Sequence, residues 1–214
     1  LSDNNFKVYD HGAATGDIDN DGDMDIVLTA MSAGFWCLMN DGSGFLTKRK
    51  CGGSFAFALE IADMDNDGDL DAIVGGHENN SSTMLTGIHW NDGQGNVTPY
   101  NTTPLSQYRE RWGIIPEVSA SDLDNDGDLD VVVNNMEGQA FVYNNNATGN
   151  FLKIAFKGSV NNPFGIGAKA KIYQKNKVQV SEHFLSRGYL SSVEPGLFFG
   201  VGKDTQIEKI EVTW

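Results

Sequence analysis

Short apolar runs, each only a few residues long and set between clusters of turn-forming residues, give the chain its rhythm. Ile26-Val27-Leu28, Ala72-Ile73-Val74 and Val131-Val132-Val133 are too short and too rich in β-branched residues to be helix faces, and they predict strands. Each follows directly on a nine-residue acidic segment. From 22 to 28 residues after the start of that segment comes an Asn/Gly-rich turn: Asn40-Asp-Gly-Ser-Gly-Phe45, Asn91-Asp-Gly-Gln-Gly-Asn-Val97 and Asn144-Asn-Asn-Ala-Thr-Gly-Asn-Phe151. Asn and Gly tolerate positive φ, so these turns predict hairpins. No stretch carries the 3.6-residue periodicity of a long amphipathic helix.

The acidic segments are copies of one pattern. They read Asp17-Ile-Asp-Asn-Asp-Gly-Asp-Met-Asp25, Asp63-Met-Asp-Asn-Asp-Gly-Asp-Leu-Asp71 and Asp122-Leu-Asp-Asn-Asp-Gly-Asp-Leu-Asp130, with starts 46 and 59 residues apart. A repeat of that length holding several short strands fits one blade of a β-propeller, a unit that must stack on a neighbour to bury its faces. Beyond residue 150 the acidic pattern stops, and strand-like runs continue at 152–156, 168–172, 178–180 and 207–212. The expected fold is therefore all-β: a partial propeller of three repeats over residues 1–149, followed by a small β-sandwich-like domain over residues 150–214.

Charge sharpens this division. Residues 1–149 carry 24 Asp/Glu against 6 Lys/Arg, whereas residues 150–214 carry 5 against 9, which together give the net −14 of the chain. Fifteen of the 29 acidic residues lie in the three repeated segments, and the remainder of the chain, 14 acids against 15 bases, is nearly neutral. An acidic N-terminal part argues against nucleic-acid binding, and the dilute positive charge beyond residue 150 builds no phosphate-tracking surface. No apolar run approaches the ~20 residues of a membrane-spanning helix. Cys37 and Cys51 fit either one disulfide or two buried thiols. A chain that opens on Leu1, with no secretion signal, and closes on Trp214 at the end of a strand-like run reads as part of a longer protein.

Asp-x-Asp-x-Asp-Gly is the opening of a calcium loop, in which carboxylates at positions 1, 3 and 5 converge on a hard cation and Gly at 6 permits a sharp turn. Here those positions are Asp17, Asp19 and Asp21; Asp63, Asp65 and Asp67; Asp122, Asp124 and Asp126. An EF-hand is excluded, because position 12 holds Leu28, Val74 or Val133 where a bidentate Glu is needed. The remaining carboxylate ligand is expected from position 9 (Asp25, Asp71, Asp130). Position 7 (Asp23, Asp69, Asp128) is expected to offer its backbone carbonyl and to leave its side chain near solvent. Like charges about 4 Å apart repel by ~1 kcal/mol even in water, so five carboxylates in nine residues, three times over, predict three Ca2+ sites.

These residues, with the lead-ins Gly12-Ala-Ala-Thr-Gly16 and Glu117-Val-Ser-Ala-Ser121, resemble FG-GAP/VCBS repeats, the blades of integrin-α-type propellers. Asn150-Phe-Leu-Lys-Ile154, Gly165-Ile-Gly-Ala-Lys169, Gly188-Tyr-Leu-Ser191, Phe198-Phe-Gly-Val-Gly202 and Ile210-Glu-Val-Thr-Trp214 resemble the ASPIC/UnbV domain that follows such repeats in bacterial surface proteins and in the cartilage acidic protein family. The resemblance implies an exported protein, extracellular or at the cell surface and in a bacterium associated with the outer membrane, belonging to a larger assembly. Such propellers close with about seven blades, which three repeats cannot do alone. The expected function is a calcium-stabilised interaction or scaffold module for a protein or glycan partner, with contacts from loop-borne Tyr100, Tyr108, Arg109, Arg111, Trp112 and Tyr189. The alternative is a metal-dependent sugar lyase or hydrolase, for which His77-Glu78 is the best acid/base pair. His11, His77, His89 and His183 form no His-x-x-x-His pair, and no nucleophile elbow is present, so an enzyme is not expected.

Overall fold

The computed structural model describes residues 10–30, 34–52, 56–75, 87–99, 117–134, 139–187 and 191–214, and among them it contains eighteen strands and no helix. The first repeat is an antiparallel unit of β1 (Asp10–Gly16), β2 (Asp25–Ala30), β3 (Gly34–Asn40) and β4 (Leu46–Gly52). The second repeats it with β5 (Ala58–Ala62), β6 (Asp71–Gly75), β7 (Gly87–Asn91) and β8 (Val97–Pro99). A parallel contact of Gly52 with Val97 joins β4 to β8, so the two units form one eight-stranded sheet ordered β1-β2-β3-β4-β8-β7-β6-β5. The third unit has three paired strands: β9 (Glu117–Ser121), β10 (Asp130–Asn134) and β11 (Phe141–Tyr143).

The three-residue apolar runs are the second strand of each unit, and stacking explains their composition. In β6, Ala72 and Val74 face the first unit and join a core with Val27, Phe35, Leu59 and Ile61. Ile73, on the opposite face of the pleat, joins Ala58, Val118, Ala120, Val131 and Val133 between the second and third units. A strand covered on both sides reads as a continuous apolar run instead of an alternating one. The small-residue lead-ins are the edge strands β1 and β9. A Cβ on Gly16 would lie 2.6 Å from Leu70 Cδ1, and one on Gly12 would lie 2.9 Å from Leu59 Cβ, so glycine there lets β1 approach the second unit. The architecture is a partial propeller with a further β unit.

That further unit begins after the third repeat, in which three strands pair among the described residues. The segment following the Asn-rich turn is β12 (Asn150–Ile154), which pairs not with β11 but with β17 (Leu197–Gly202). A second sheet places β13 (Lys169–Tyr173) between β14 (Val178–Glu182) and β18 (Lys209–Thr213), and a short pair joins β15 (Ser186–Arg187) to β16 (Ser191–Ser192). Leu197, Phe199 and Val201 on one face of β17 pack with Ala170 and Ile172 in a core of their own. Phe198, on the other face, packs against the core of the second and third repeats. Cys37 on β3 and Cys51 on β4 are buried and form a disulfide, which settles the alternative the sequence left open.

Candidate metal centres

Each acidic segment is the loop joining the first strand of a unit to the second, and the three loops fold alike. Position 4 is Asn with positive φ in every copy: 57° at Asn20, 61° at Asn66 and 63° at Asn125. Asn is among the few non-glycine residues that adopt this conformation readily. Position 6 follows with φ of 97°, 91° and 96° at Gly22, Gly68 and Gly127, a region L side chains rarely enter. The chain thereby curls around the position-1 carboxylate. Asp17 accepts the N–H groups of Asp21 and Gly22, both at 3.0 Å, and Asp63 those of Asp67 at 3.1 Å and Gly68 at 2.7 Å.

The position-9 carboxylate locks the loop from outside, because it opens the second strand and can reach both ends of the turn. Asp25 accepts from Ile18 N–H and Asn40 N–H, Asp71 from Met64 and Asn91, and Asp130 from Leu123 and Asn145. Asn145, not Asn144, therefore holds in the third unit the place of Asn40 and Asn91. Asn40 and Asn91 head the first two turns, which is the sequence signal for this role. Amide groups at this position also sew neighbouring loops together: Asn91 Nδ2 donates to Ile18 C=O in the first loop at 2.8 Å, and Asn145 Nδ2 to Met64 C=O in the second at 2.7 Å.

The structure gathers Asp17, Asp19 and Asp25 in the first loop, Asp63, Asp65 and Asp71 in the second, and Asp122, Asp124 and Asp126 in the third, with ligand oxygens within 4.8 Å of one another in each group. Asp21 and Asp67 lie outside the first two groups; each accepts the N–H of position 7. In the third loop Asp126 is inside the group and Asp130 is outside it. Position 7 departs from expectation. Asp69 accepts from Asn20 Nδ2 of the preceding loop at 2.8 Å and pairs with Lys177 of the C-terminal unit. Asp128 is only 3% exposed and accepts from Ala147 N–H at 2.7 Å, while Asp23 is half-buried. The Asp69 and Asp128 side chains are turned inward by partners distant in sequence and do not face solvent.

Burial disfavours the charged form of the carboxylates in the first and second clusters. Desolvation, with repulsion from neighbouring aspartates, pushes Asp17 and Asp63 up to about 7, Asp25 to about 6 and Asp71 to about 8, from an ordinary 3.8; backbone N–H donors offset only part of this. Asp19 is also raised, chiefly by burial, and its Oδ1 is enclosed with no hydrogen-bond donor. Oxygen-only donor sets, converging carboxylates and an enclosed oxygen lacking a donor fit a hard divalent cation.

Other candidate residues fall elsewhere. Tyr100, Tyr108, Arg109, Arg111, Trp112, Tyr189, His77 and Glu78 lie outside the described residues. His183 is buried, with Nδ1 at 3.2 Å from Gly165 C=O and Nε2 accepting from Gly196 N–H at 2.9 Å; His89 is buried against the Phe35 ring. Among the described residues no helix is long and apolar enough to cross a membrane.

A family model described as an FG-GAP-like repeat matches residues 17–74 and again 63–133, spanning all three loops and more than half of the chain. A second, described as ASPIC and UnbV, matches residues 158–214. No curated protein matches the chain.

Proposed function

Because the chain belongs to the FG-GAP-like repeat family and carries an ASPIC and UnbV segment behind its repeats, we propose that it is a calcium-stabilised interaction module. One Ca2+ occupies each loop, held by carboxylates at positions 1, 3, 5 and 9 and by the backbone carbonyl of position 7. The observation that carries this reading is the threefold recurrence of converging carboxylates in one loop geometry. Calcium suits such a loop better than magnesium, which demands stricter octahedral geometry and keeps its waters. Cations here are structural: they offset repulsion in the loops that set the strand order of each unit. Recognition of a protein or glycan then falls to the loops between strands.

An extracellular or cell-surface location agrees with the Cys37–Cys51 disulfide, since such bonds persist in oxidising compartments. No described feature favours the sugar-active enzyme over the binding module; His89 and His183 serve the core. The narrower likeness to the cartilage acidic protein family rests on the quoted motifs alone. We also assign residues 150–214 to a separate domain, on the strength of their own core around Ile172 and Phe199. Titration of metal-stripped protein with calcium, followed calorimetrically, should give three equivalents bound. An absence of binding at millimolar calcium would overturn the proposal.

A further inference from the structure

Residues 150–214 meet the repeats at the acidic loops, and most closely at the second and third. Gly202 N–H donates to Asn66 C=O at 2.7 Å. Gly200 lies so close that a Cβ there would stand 2.1 Å from Asp63 Oδ2 and 2.5 Å from Asn66 Cα. From the other side, a Cβ on Gly68 would meet Lys177 Nζ and Gln179 Nε2, each at 2.8 Å. At the third loop the Phe151 ring lies across Gly127, where a Cβ would fall 1.8 Å from Cε1, and Lys153 Nζ is 3.7 Å from Asp122 Oδ2. The first loop is approached more loosely: Lys171 Nζ would be 3.9 Å from a Cβ on Gly22.

We propose that the second and third loops are the docking platform for residues 150–214, so that calcium binding at those two loops and seating of the C-terminal unit promote each other. The first loop binds calcium largely independently of that seating. The inference rests on the calcium reading above. The groups that the C-terminal unit grips, the Asn66 carbonyl held by β17 and the flat Gly127 surface under Phe151 of β12, are presented only when the loop is curled around its position-1 carboxylate. A cation holds that curl, whereas bare carboxylates repel. Lysines near a site oppose a cation, and Lys153 also lies 3.7 Å from Asp122, but each has a nearer carboxylate: Lys177 pairs with Asp69, outside the gathered ligand oxygens, and Lys153 pairs with Glu194 at 2.8 Å. Shape therefore outweighs charge, and the coupling is positive. By linkage, unseating the unit must weaken calcium binding at the same two loops by the factor with which calcium strengthens the seating.

The test uses the full chain. Gly200→Ala inserts a methyl between β17 and the second loop at a residue with no positive φ to strain. Amide resonances of Gly22, Gly68 and Gly127 report each loop separately during a calcium titration. The expected result is binding weakened about 5-fold to 100-fold at Gly68 and Gly127, with Gly22 unchanged within about two-fold. Hydrogen exchange should rise along β17 when calcium is removed from the wild type, while β13 stays protected. Unchanged affinity at all three loops in a folded Gly200→Ala chain would overturn the coupling. So would equal weakening at all three, which reports general loosening. If Gly200→Ala fails to fold, Lys177→Ala serves instead, and an unaltered Gly68 titration refutes the proposal. A wild-type chain showing no calcium-dependent shift at any loop would instead reject the calcium reading itself.

Discussion

Stripping the metal should invert the dependence of stability on pH. Asp71 keeps its proton up to about pH 8 in the fold, against 3.8 for an ordinary aspartate, because burial beside Asp63 and Asp65 penalises its charge. In the metal-free protein the unfolded chain releases that proton first, so the folded state binds more protons between the two values. Each pH unit in this window then favours unfolding by about 1.4 kcal/mol per such group. From pH 5 to pH 7 Asp71 alone removes about 3 kcal/mol, which for a chain of this size is roughly 6–12 °C in melting temperature. Asp17 and Asp63, raised to about 7, act in the same direction. With calcium the sign reverses, since the cation binds the deprotonated loops and competes with protons as the solution becomes acidic. Calorimetric melting of metal-stripped protein should thus show the melting temperature falling from pH 5 to pH 7, and the same series in millimolar calcium should show it rising. A metal-free melting temperature that is level or rising across that interval would refute the electrostatic account of the loops.

Four further outcomes follow from local changes. Asp65→Ala, at an exposed carboxylate whose charge adds to the penalty on Asp63 and Asp71, should leave the metal-free melting temperature no lower and abolish the calcium-induced gain at the second loop. Asp69→Ala should cost about 1–3 kcal/mol with or without calcium, because Asn20 and Lys177 lose their common acceptor; equal effects of the two variants under chelation would contradict this. Asn91→Ala removes bonds to Ile18 C=O and Leu70 C=O and should cost about 2 kcal/mol in chemical denaturation, with a weaker first calcium site; a cost near zero would mean the loops are not sewn together. Reduction of Cys37–Cys51, which closes a 14-residue separation, should cost about 3 kcal/mol, and a thermal midpoint indifferent to reductant would exclude that contribution.

What the sequence disclosed and what it hid divide along chain distance. The loop shape was legible because Asn at position 4 and Gly at position 6 answer to local backbone geometry, and the strand runs because burial on both faces demands continuous apolar residues. The placement of the Asp69 and Asp128 side chains was hidden for the opposite reason. Nothing near Asp69 in the chain announces Lys177, 108 residues away, and nothing near Asp128 announces the Ala147 N–H. The role of Asn145 was blurred by its neighbour, since three consecutive asparagines offer one register to inspection and only packing selects among them. Phe198 likewise reads as half of an apolar pair, and only the pleat of β17 reveals that it belongs to a different core from Phe199.

The departure of β12 from the third repeat bears on how this module could be moved between proteins. Family resemblance marks the C-terminal segment from residue 158, yet β17 has its hydrogen-bonding edge completed by Asn150–Ile154. A gene fusion cut at residue 158 would deliver a sheet with an unpaired inner edge and expose Leu197 and Phe199, an invitation to pair with foreign strands. One cut at residue 150 would carry the strand along but strip the third repeat of the covering that Phe151 gives Gly127. Neither junction is clean, so the two modules are expected to be inherited together, and their transferable unit is the pair.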